Sequence, residues 1–202
     1  ARGVSRGRHL AFTQPMATGL ATLALICQAQ GDPSGALDAM EEAQGVGVSP
    51  DVVALMNPVP ALRARLLLAR GEIDEAANWA GEQGLAIDKP SYPRELEYLV
   101  LVRVLLAQQK YDRTLGLVRM LRSDASNQRR TNSVIELQAL EALALAAGGD
   151  ESAALAILSE ALGLALPEGY VRVFVDEGTP MAQMVGKLAS AQLSGRIELP
   201  DD

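Results

Sequence analysis

Few residues in this sequence have the chemistry that catalysis or metal binding requires. His9 is the only histidine and lies in a segment expected to be a flexible arm, which argues against a Ser-His-Asp triad or a metal site built on it. Cys27 is the only cysteine, so a cysteine cluster and an internal disulfide are both excluded. Acidic neighbours such as Glu41 and Glu42 point apart on a helix. We therefore expect no enzymatic activity, no metal and no cofactor in this segment.

A binding surface is the better prediction for the charged residues. Arg65 and Arg103 hold the same position in two successive units of a repeat, six residues before its turn, where the side chain is expected to face a concave groove. Two guanidinium groups on one wall suit a carboxylate, a phosphate or sugar hydroxyls. Glu97 and Glu136 lie on the same kind of helix and complete the charged part of this candidate groove. The alternative is that these charges form internal ion pairs between stacked helices.

Three aromatic residues lie close together in the sequence and suggest a second kind of contact. Trp79, Tyr92 and Tyr98 could form a surface on which a sugar ring stacks, and Tyr92 and Tyr98 are therefore candidate binding residues. The alternative for Trp79 is a wedge between two repeats, because its spacing places it on the second helix of a hairpin. The sequence leaves both interpretations open.

The elements that position these side chains form a repeat with a period near forty residues. Four segments share a turn residue that is followed five positions later by a small residue, and the small residue recurs after 40, 38 and 40 residues. An apolar helical run precedes each turn and an amphipathic run follows it, so each unit is predicted to be a helical hairpin. The turn residues are Gly31, Gly71, Gln109 and Gly149, and the small residues are Ala36, Ala76, Thr114 and Ala154.

The small residues fit the places where two helices of a hairpin cross closely. A second set precedes each turn by seven positions and consists of Ala24, Ala64, Val102 and Ala142. A small residue, a turn residue and a second small residue at these spacings form the tetratricopeptide (TPR) pattern. We predict an all-α fold, a right-handed superhelical solenoid of about five TPR-like hairpins that bury their apolar faces by stacking. The alternative is a generic alanine-rich helical bundle.

Composition and charge narrow the class of protein. The chain has 202 residues, of which 49% are hydrophobic and only 3% aromatic, which favours closely packed helices over a β-sandwich. The net charge of −7 argues against nucleic-acid binding by this segment. No apolar run approaches the length that spans a bilayer, and a single cysteine suits a reducing compartment. We expect a cytoplasmic protein that does not contact the membrane.

Three parts are predicted along the chain. Residues 1–14 carry Arg2, Arg6 and Arg8 and are expected to form a flexible N-terminal arm. Residues 15–193 are expected to form the TPR-like domain, and residues 194–202 a C-terminal linker. Near the end of the domain, the β-branched phrase "EGYVRVFVDEG" at 168–178 could be taken for a strand. Its apolar residues are spaced i,i+4, so we predict a short helix that packs under a final helix from Pro180 to about Leu193.

Several phrases are more specific than the general TPR pattern. They resemble the helical-repeat region of MalT-like, LuxR-type transcriptional regulators over roughly residues 15–190. The Trp-Ala…Gly-Leu and Gly-Tyr-Val-Arg-Val-Phe-Val-Asp-Glu-Gly motifs carry most of the resemblance. The phrases are "ALRARLLLARGEIDEAANWAGEQGL" at 61–85, "PRELEYLVLVRVLLAQQKYDRTLGLVRML" at 93–121, "SVIELQALEALAL" at 133–145 and "PEGYVRVFVDEGTPMAQMV" at 167–185.

The resemblance implies a sensor function. In that family a P-loop ATPase precedes the repeats and a helix-turn-helix domain follows them, and the repeats receive an inducer, such as a small maltooligosaccharide, or a partner protein. This segment has neither a G-x-x-x-x-G-K-[S/T] loop nor a helix-turn-helix, so ATP and DNA are expected to bind only to those other domains. The resemblance also implies that the linker at 194–202 leads toward the DNA-binding domain. We expect a small-molecule inducer or a protein partner in the concave groove, with self-association a further expectation. The alternative is a protein–protein interaction scaffold with no small-molecule ligand.

Overall fold

The computed structural model describes the backbone of residues 2–46 and 57–193 and the side chains of residues 13–46 and 57–191. Every regular element within these ranges is a helix. In the described part of the chain, two single-turn 3₁₀ helices, Tyr92–Arg94 and Leu166–Glu168, accompany ten α-helices. The α-helices are α1 (Arg2–Ala29), α2 (Pro33–Gly45), α3 (Val59–Ala69), α4 (Ile73–Glu82), α5 (Glu95–Ala107), α6 (Tyr111–Asn127), α7 (Thr131–Ala147), α8 (Glu151–Ala165), α9 (Arg172–Val175) and α10 (Gly178–Leu193).

Helices that follow one another in the chain pack as pairs. The chain divides into two compact units, Ala1–Val104 and Leu105–Asp202. In the first unit α1 packs on α2 and α3 on α4, and the first of these pairs also contacts α3. In the second unit α7 packs on both α6 and α8, and α10 packs on α9. This arrangement confirms the predicted all-α fold of TPR-like hairpins.

The turn inside each hairpin has the same backbone geometry at all four predicted positions. At the first turn, the amide of Gly31 donates to the carbonyl of Gln28 at 3.1 Å, and the amide of Asp32 donates to that of Cys27 at 2.9 Å. This pair of bonds is the Schellman motif, which satisfies the last carbonyls of a helix and requires a left-handed residue. The motif recurs at the other three turns, and the φ angles of the turn residues are +78° at Gly31, +79° at Gly71, +58° at Gln109 and +94° at Gly149.

Gln109 is the turn residue that is not glycine, and replacing it should change stability. A side chain in the left-handed region is strained by its Cβ atom, so Gln109→Gly should raise the free energy of unfolding by about 0.5–1 kcal/mol. Gly71→Ala should lower it by about 1 kcal/mol through backbone strain alone, because a Cβ there meets no atom within 4 Å. Thermal unfolding followed by circular dichroism measures both changes.

Gly116 provides the matched control for the turn variants. It lies inside α6 with open space around it and an ordinary helical backbone, so Gly116→Ala should stabilise by about 1 kcal/mol. A melting temperature that rises in both Gly71→Ala and Gly116→Ala would contradict the shared turn geometry.

The predicted crossing residues are all buried. Ala36, Ala76, Thr114 and Ala154 each have 0% of their surface exposed. The buried hydroxyl of Thr114 donates to the carbonyl of Lys110 at 3.0 Å, which satisfies the polar group that replaces alanine in the third hairpin. The second set is also fully buried and consists of Ala24, Ala64, Val102 and Ala142. The register of the repeat is therefore as predicted.

The phrase at 168–178 forms a helix, although a shorter one than its i,i+4 spacing suggests. Only α9 is helical there, and of its apolar residues Phe174 is buried whereas Val175 is exposed. The preceding Val171 is exposed as well. One buried ring, rather than a full stripe, holds this short helix against α7 and α10. The final helix α10 runs from Gly178 to Leu193, two residues longer at its start than predicted.

The structure describes the backbone of most of the predicted N-terminal arm but not the predicted C-terminal linker. Helix α1 begins at Arg2, so the segment expected as an arm contributes the first turns of this helix. Residues 194–202, expected as a linker, lie outside the described residues, and both domain boundaries stay predictions. Within the described ranges, no helix is long and apolar enough to cross a membrane.

Candidate functional site

A cavity of about 410 Å³ lies in the first unit, between residues of α3, α4, the 3₁₀ helix Tyr92–Arg94 and α5. Its volume falls within the range of small-molecule sites, about 300–1,000 Å³. Pro60 and Ala61 form an apolar part of the wall. The aromatic, amide and charged residues of the wall are Asn57, Trp79, Glu82, Gln83, Arg94 and Glu97.

Trp79 presents an indole ring to this cavity because of the pattern of α4. The buried residues of that helix are Ala76, Trp79 and Ala80, which are spaced three and four residues apart and so share one face. Trp79 is 8% exposed, and its Nε1 atom is buried without a hydrogen-bond partner among the described residues. An unsatisfied buried donor costs about 1–3 kcal/mol. A ligand that brings an acceptor to this N–H would recover that energy.

Arg94 joins the two sides of the cavity wall. Its Nη2 atom donates to the backbone carbonyl of Gln83 at 3.0 Å, and its guanidinium forms an ion pair with the carboxylate of Glu97. The two side chains are 25% and 16% exposed, so the pair is partly shielded from water and fixed in one geometry. The end of α4 is thereby tied to the start of α5.

The connector between α4 and α5 is anchored at a second point. The ring of Tyr98 is buried, and its hydroxyl donates to the carbonyl of Ala86 at 3.0 Å. Gly84 enters the connector with φ of +58°, which turns the chain at the end of α4. Two bonds, one from Arg94 and one from Tyr98, thus hold the connector beside the cavity in place, and such preorganisation lowers the cost of binding.

The balance of charge limits what the cavity can bind. Glu97 is already paired with Arg94, while Glu82 is exposed at the rim, so the wall carries a slight negative excess. Within the described ranges, no cluster of three histidine, cysteine, aspartate or glutamate residues could hold a metal ion. The arrangement favours a small polar molecule that carries hydrogen-bond acceptors for the indole N–H and for Arg94.

Comparison with known proteins decides the family. The model of the MalT-like TPR region matches residues 1–191. The chain belongs to this family. No curated protein and no solved structure gives a significant match.

In this MalT-like TPR region, the structure brings only part of the predicted site together. Glu97 lines the cavity, and Tyr98 anchors its wall from the core, where its ring has no free face for stacking. Tyr92 is exposed on the 3₁₀ helix and is not one of the lining residues. Trp79 lines the cavity from α4, as a residue of the buried face. A stacking role for Tyr92 and Tyr98 stays a prediction.

The two predicted groove arginines lie elsewhere in the first unit of the MalT-like region. Arg103 is buried on α5, and its Nη1 atom donates to the carbonyl of Leu99 at 3.1 Å. Arg65 is half-buried on α3, and both arginines make further interactions. Glu136, on α7 in the second unit, is half-buried and also engaged. A binding role for these three residues stays a prediction.

The alternative of internal ion pairs holds for a neighbouring glutamate of the MalT-like region. Glu141 on α7 is 3% exposed, and its Oε1 atom accepts from Nε of Arg119 on α6 at 2.8 Å. Nε of Arg122 lies 3.3 Å from Oε2 as an ion pair, and Oε2 has no hydrogen-bond partner among the described residues. The buried carboxylate is compensated by two arginines that remain partly in water.

The sequence did not indicate Asn57, Gln83 and Arg94 as site residues of this MalT-like region. Gln83 and Arg94 flank the connector at 84–93, which was recognisable because it makes this repeat longer than a standard TPR unit, whereas Asn57 precedes α3. Long connectors between helices are a usual place for binding residues, so Arg94, directly after this connector, could have been identified as a candidate binding residue.

Proposed function

We propose that this MalT-like TPR region senses a small polar ligand in the Trp79 cavity and, through that binding, controls a transcriptional regulator. The region itself binds and performs no catalysis. The nucleotide-dependent and DNA-binding steps belong to other domains of such a regulator, which acts in the cytoplasm. Membership of the MalT-like TPR family supports the regulatory part of this proposal.

The observation that carries the ligand part is the buried indole N–H of Trp79 without an acceptor, next to a cavity of about 410 Å³. Buried polar groups in native proteins are nearly always hydrogen-bonded, so each exception calls for an explanation. A ligand acceptor that reaches this donor would satisfy it, and the low dielectric constant at the cavity wall would strengthen the bond.

A ligand in this cavity would contact both helices of one hairpin and the first helix of the next. Trp79 belongs to α4, Ala61 to α3, and Glu97 to α5. Binding would therefore add contacts between the successive hairpins of the first unit and stabilise their packing. A ligand that binds the folded state alone stabilises it in proportion to the logarithm of its concentration.

The test begins with a thermal-shift screen of small metabolites and oligosaccharides, followed by titration of each hit. Trp79 is the only tryptophan of the chain, so its fluorescence reports on the cavity without any label. We expect a hit to raise the melting temperature and to change the emission of Trp79 with the same dissociation constant. Calorimetry then provides that constant independently of the fluorophore.

Substitution of Trp79 by phenylalanine isolates the indole N–H. Trp79→Phe keeps an aromatic ring but removes the donor, and we expect affinity to fall by roughly 2- to 13-fold, the equivalent of about 0.5–1.5 kcal/mol. Arg94→Met should weaken binding further, because it releases the connector as well. Tyr170→Phe, an exposed aromatic change in the second unit, is the control and should leave affinity unchanged.

The outcomes separate this proposal from a protein-binding scaffold. If no compound shifts the melting temperature while a protein partner binds tightly, the cavity is not a ligand site and the scaffold function is correct. Binding that is equal in the Trp79→Phe and wild-type proteins would place the ligand elsewhere.

A further inference from the structure

Helix α1 has an unusual surface for the first helix of a hairpin. No charged residue occurs from Leu10 to Gly31, although the chain as a whole is 21% charged. Met16, Leu23 and Ile26 are exposed large hydrophobic residues of this helix. A wide depression of about 950 Å³ runs along the same side, past Gly19 and Thr22. We call the side formed by Thr18, Gly19, Thr22, Leu23 and Ile26 the α1 face.

The repeat allows this face to be compared with the later first helices. Ile26 is 38% exposed, whereas its equivalents Leu66, Val104 and Ala144 are 3%, 2% and 0% exposed. Thr22 is exposed, and its equivalents Leu62, Val100 and Leu140 are all buried. The same positions are therefore covered in α3, α5 and α7 and open in α1.

The structure identifies what covers this face in two later hairpins. Leu62 and Leu66 of α3 pack in one apolar cluster with both helices of the hairpin before it, which contribute Ala17, Ala21 and Ala24 from α1 and Ala39, Met40 and Ala43 from α2. In the second unit α7 packs on α6, again the second helix of the preceding hairpin.

The second of these contacts involves a direct equivalent of an α1 face residue. Glu141, which corresponds to Leu23, accepts from Arg119 of α6. At both places the second helix of the preceding hairpin is thus an occupant, and the α1 face is where the same repeat-to-repeat interface would continue by one further step.

We propose that the α1 face docks the second helix of a further TPR-type hairpin, which stacks before α1 as the α1–α2 hairpin stacks before α3. The chemistry of the face specifies the docking helix. The docking helix is expected to carry small and apolar residues three and four positions apart, as α2 does at Ala39, Met40 and Ala43. Its docking side should carry no charged residue, because Leu23 and Ile26 provide no partner for a charge.

The test tethers such a helix to the whole chain. A second copy of residues 33–45, the α2 sequence, is joined to the N-terminus through a long Gly/Ser linker, which holds it at roughly millimolar local concentration. We expect the extended chain to melt several degrees higher than the original one. Nuclear Overhauser contacts should appear between the Ile26 methyl groups and the tethered helix.

Variants of the same extended chain make the result specific. Ile26→Asp should remove the gain in melting temperature, and it should leave the unextended chain almost unchanged because Ile26 is exposed there. Met120→Asp, a matched exposed position on α6, should keep the gain.

Three results would overturn the inference. They are an extended chain that melts like the original one, a gain that survives Ile26→Asp, and self-association of the unextended chain that Ile26→Asp abolishes. The last result would assign the face to a second copy of this chain instead.

Discussion

Replacing Arg119 and Arg122 together by methionine should lower the free energy of unfolding by about 3–5 kcal/mol, more than any single change at their partner Glu141. The side chain of Glu141 is 3% exposed and lies against both arginine Nε atoms. Without the arginines, a buried carboxylate has no compensating charge. Methionine keeps most of the apolar stem of arginine, so the loss reports the charge rather than the packing.

Substitution of the glutamate should lower the free energy of unfolding much less than substitution of the two arginines. Glu141→Gln should cost about 1 kcal/mol, because the side chains of Arg119 and Arg122 are 56% and 29% exposed and can be hydrated when their partner is neutral. Urea unfolding of the single, double and triple variants measures both sides of this asymmetry. The triple variant, which combines both methionines with Glu141→Leu, should recover most of the stability.

The difference between the two substitutions also tests whether the carboxylate of Glu141 is buried. If the Arg119→Met/Arg122→Met protein unfolds at the same urea concentration as Glu141→Gln, the carboxylate is not buried as the structure places it.

Substitution of the small residues at the hairpin crossings by leucine should cause the second large loss of stability. Ala76→Leu and Ala154→Leu should each lower the free energy of unfolding by about 1–3 kcal/mol, because both positions are fully buried where two helices meet. The added atoms have no space unless the helices move apart. Thermal unfolding of each variant measures the cost.

A control for this overpacking lies within the same helix. Ala156 is exposed on α8, two residues after Ala154, so Ala156→Leu should leave the melting temperature nearly unchanged. Unchanged melting temperatures in both Ala76→Leu and Ala154→Leu would show that the register of the repeat is wrong.

The architecture could be predicted because it depends on short-range requirements of the backbone. A Schellman turn needs a residue that tolerates positive φ, and a close helix crossing needs a small one. Those two needs recur at fixed spacing, so Gly31 and Ala36 already define the pattern that the later hairpins follow. The length of α9 could not be predicted, because the i,i+4 spacing of its apolar residues does not reveal that only Phe174 finds a buried environment.

The candidate site was harder to predict, because it depends on the path of the connector between α4 and α5. Glu97 was identified from its helix position, but Arg94 gains its role through a bond to the carbonyl of Gln83, eleven residues earlier. No periodicity encodes the path of a connector. The unsatisfied indole N–H of Trp79 is likewise a property of its surroundings, and it becomes visible only when every neighbouring acceptor has a position.

The absence of charge from Leu10 to Gly31 has a consequence for how the two proposed surfaces respond to ionic strength. Dissolved ions screen Coulomb interactions, with a screening length of about 8 Å at physiological salt. The Arg94–Glu97 pair and the rim carboxylate Glu82 of the cavity are subject to that screening. Contact at the α1 face contains no Coulomb term, and salts that favour apolar burial strengthen it. One molecule thus holds a salt-sensitive and a salt-tolerant surface in the same unit.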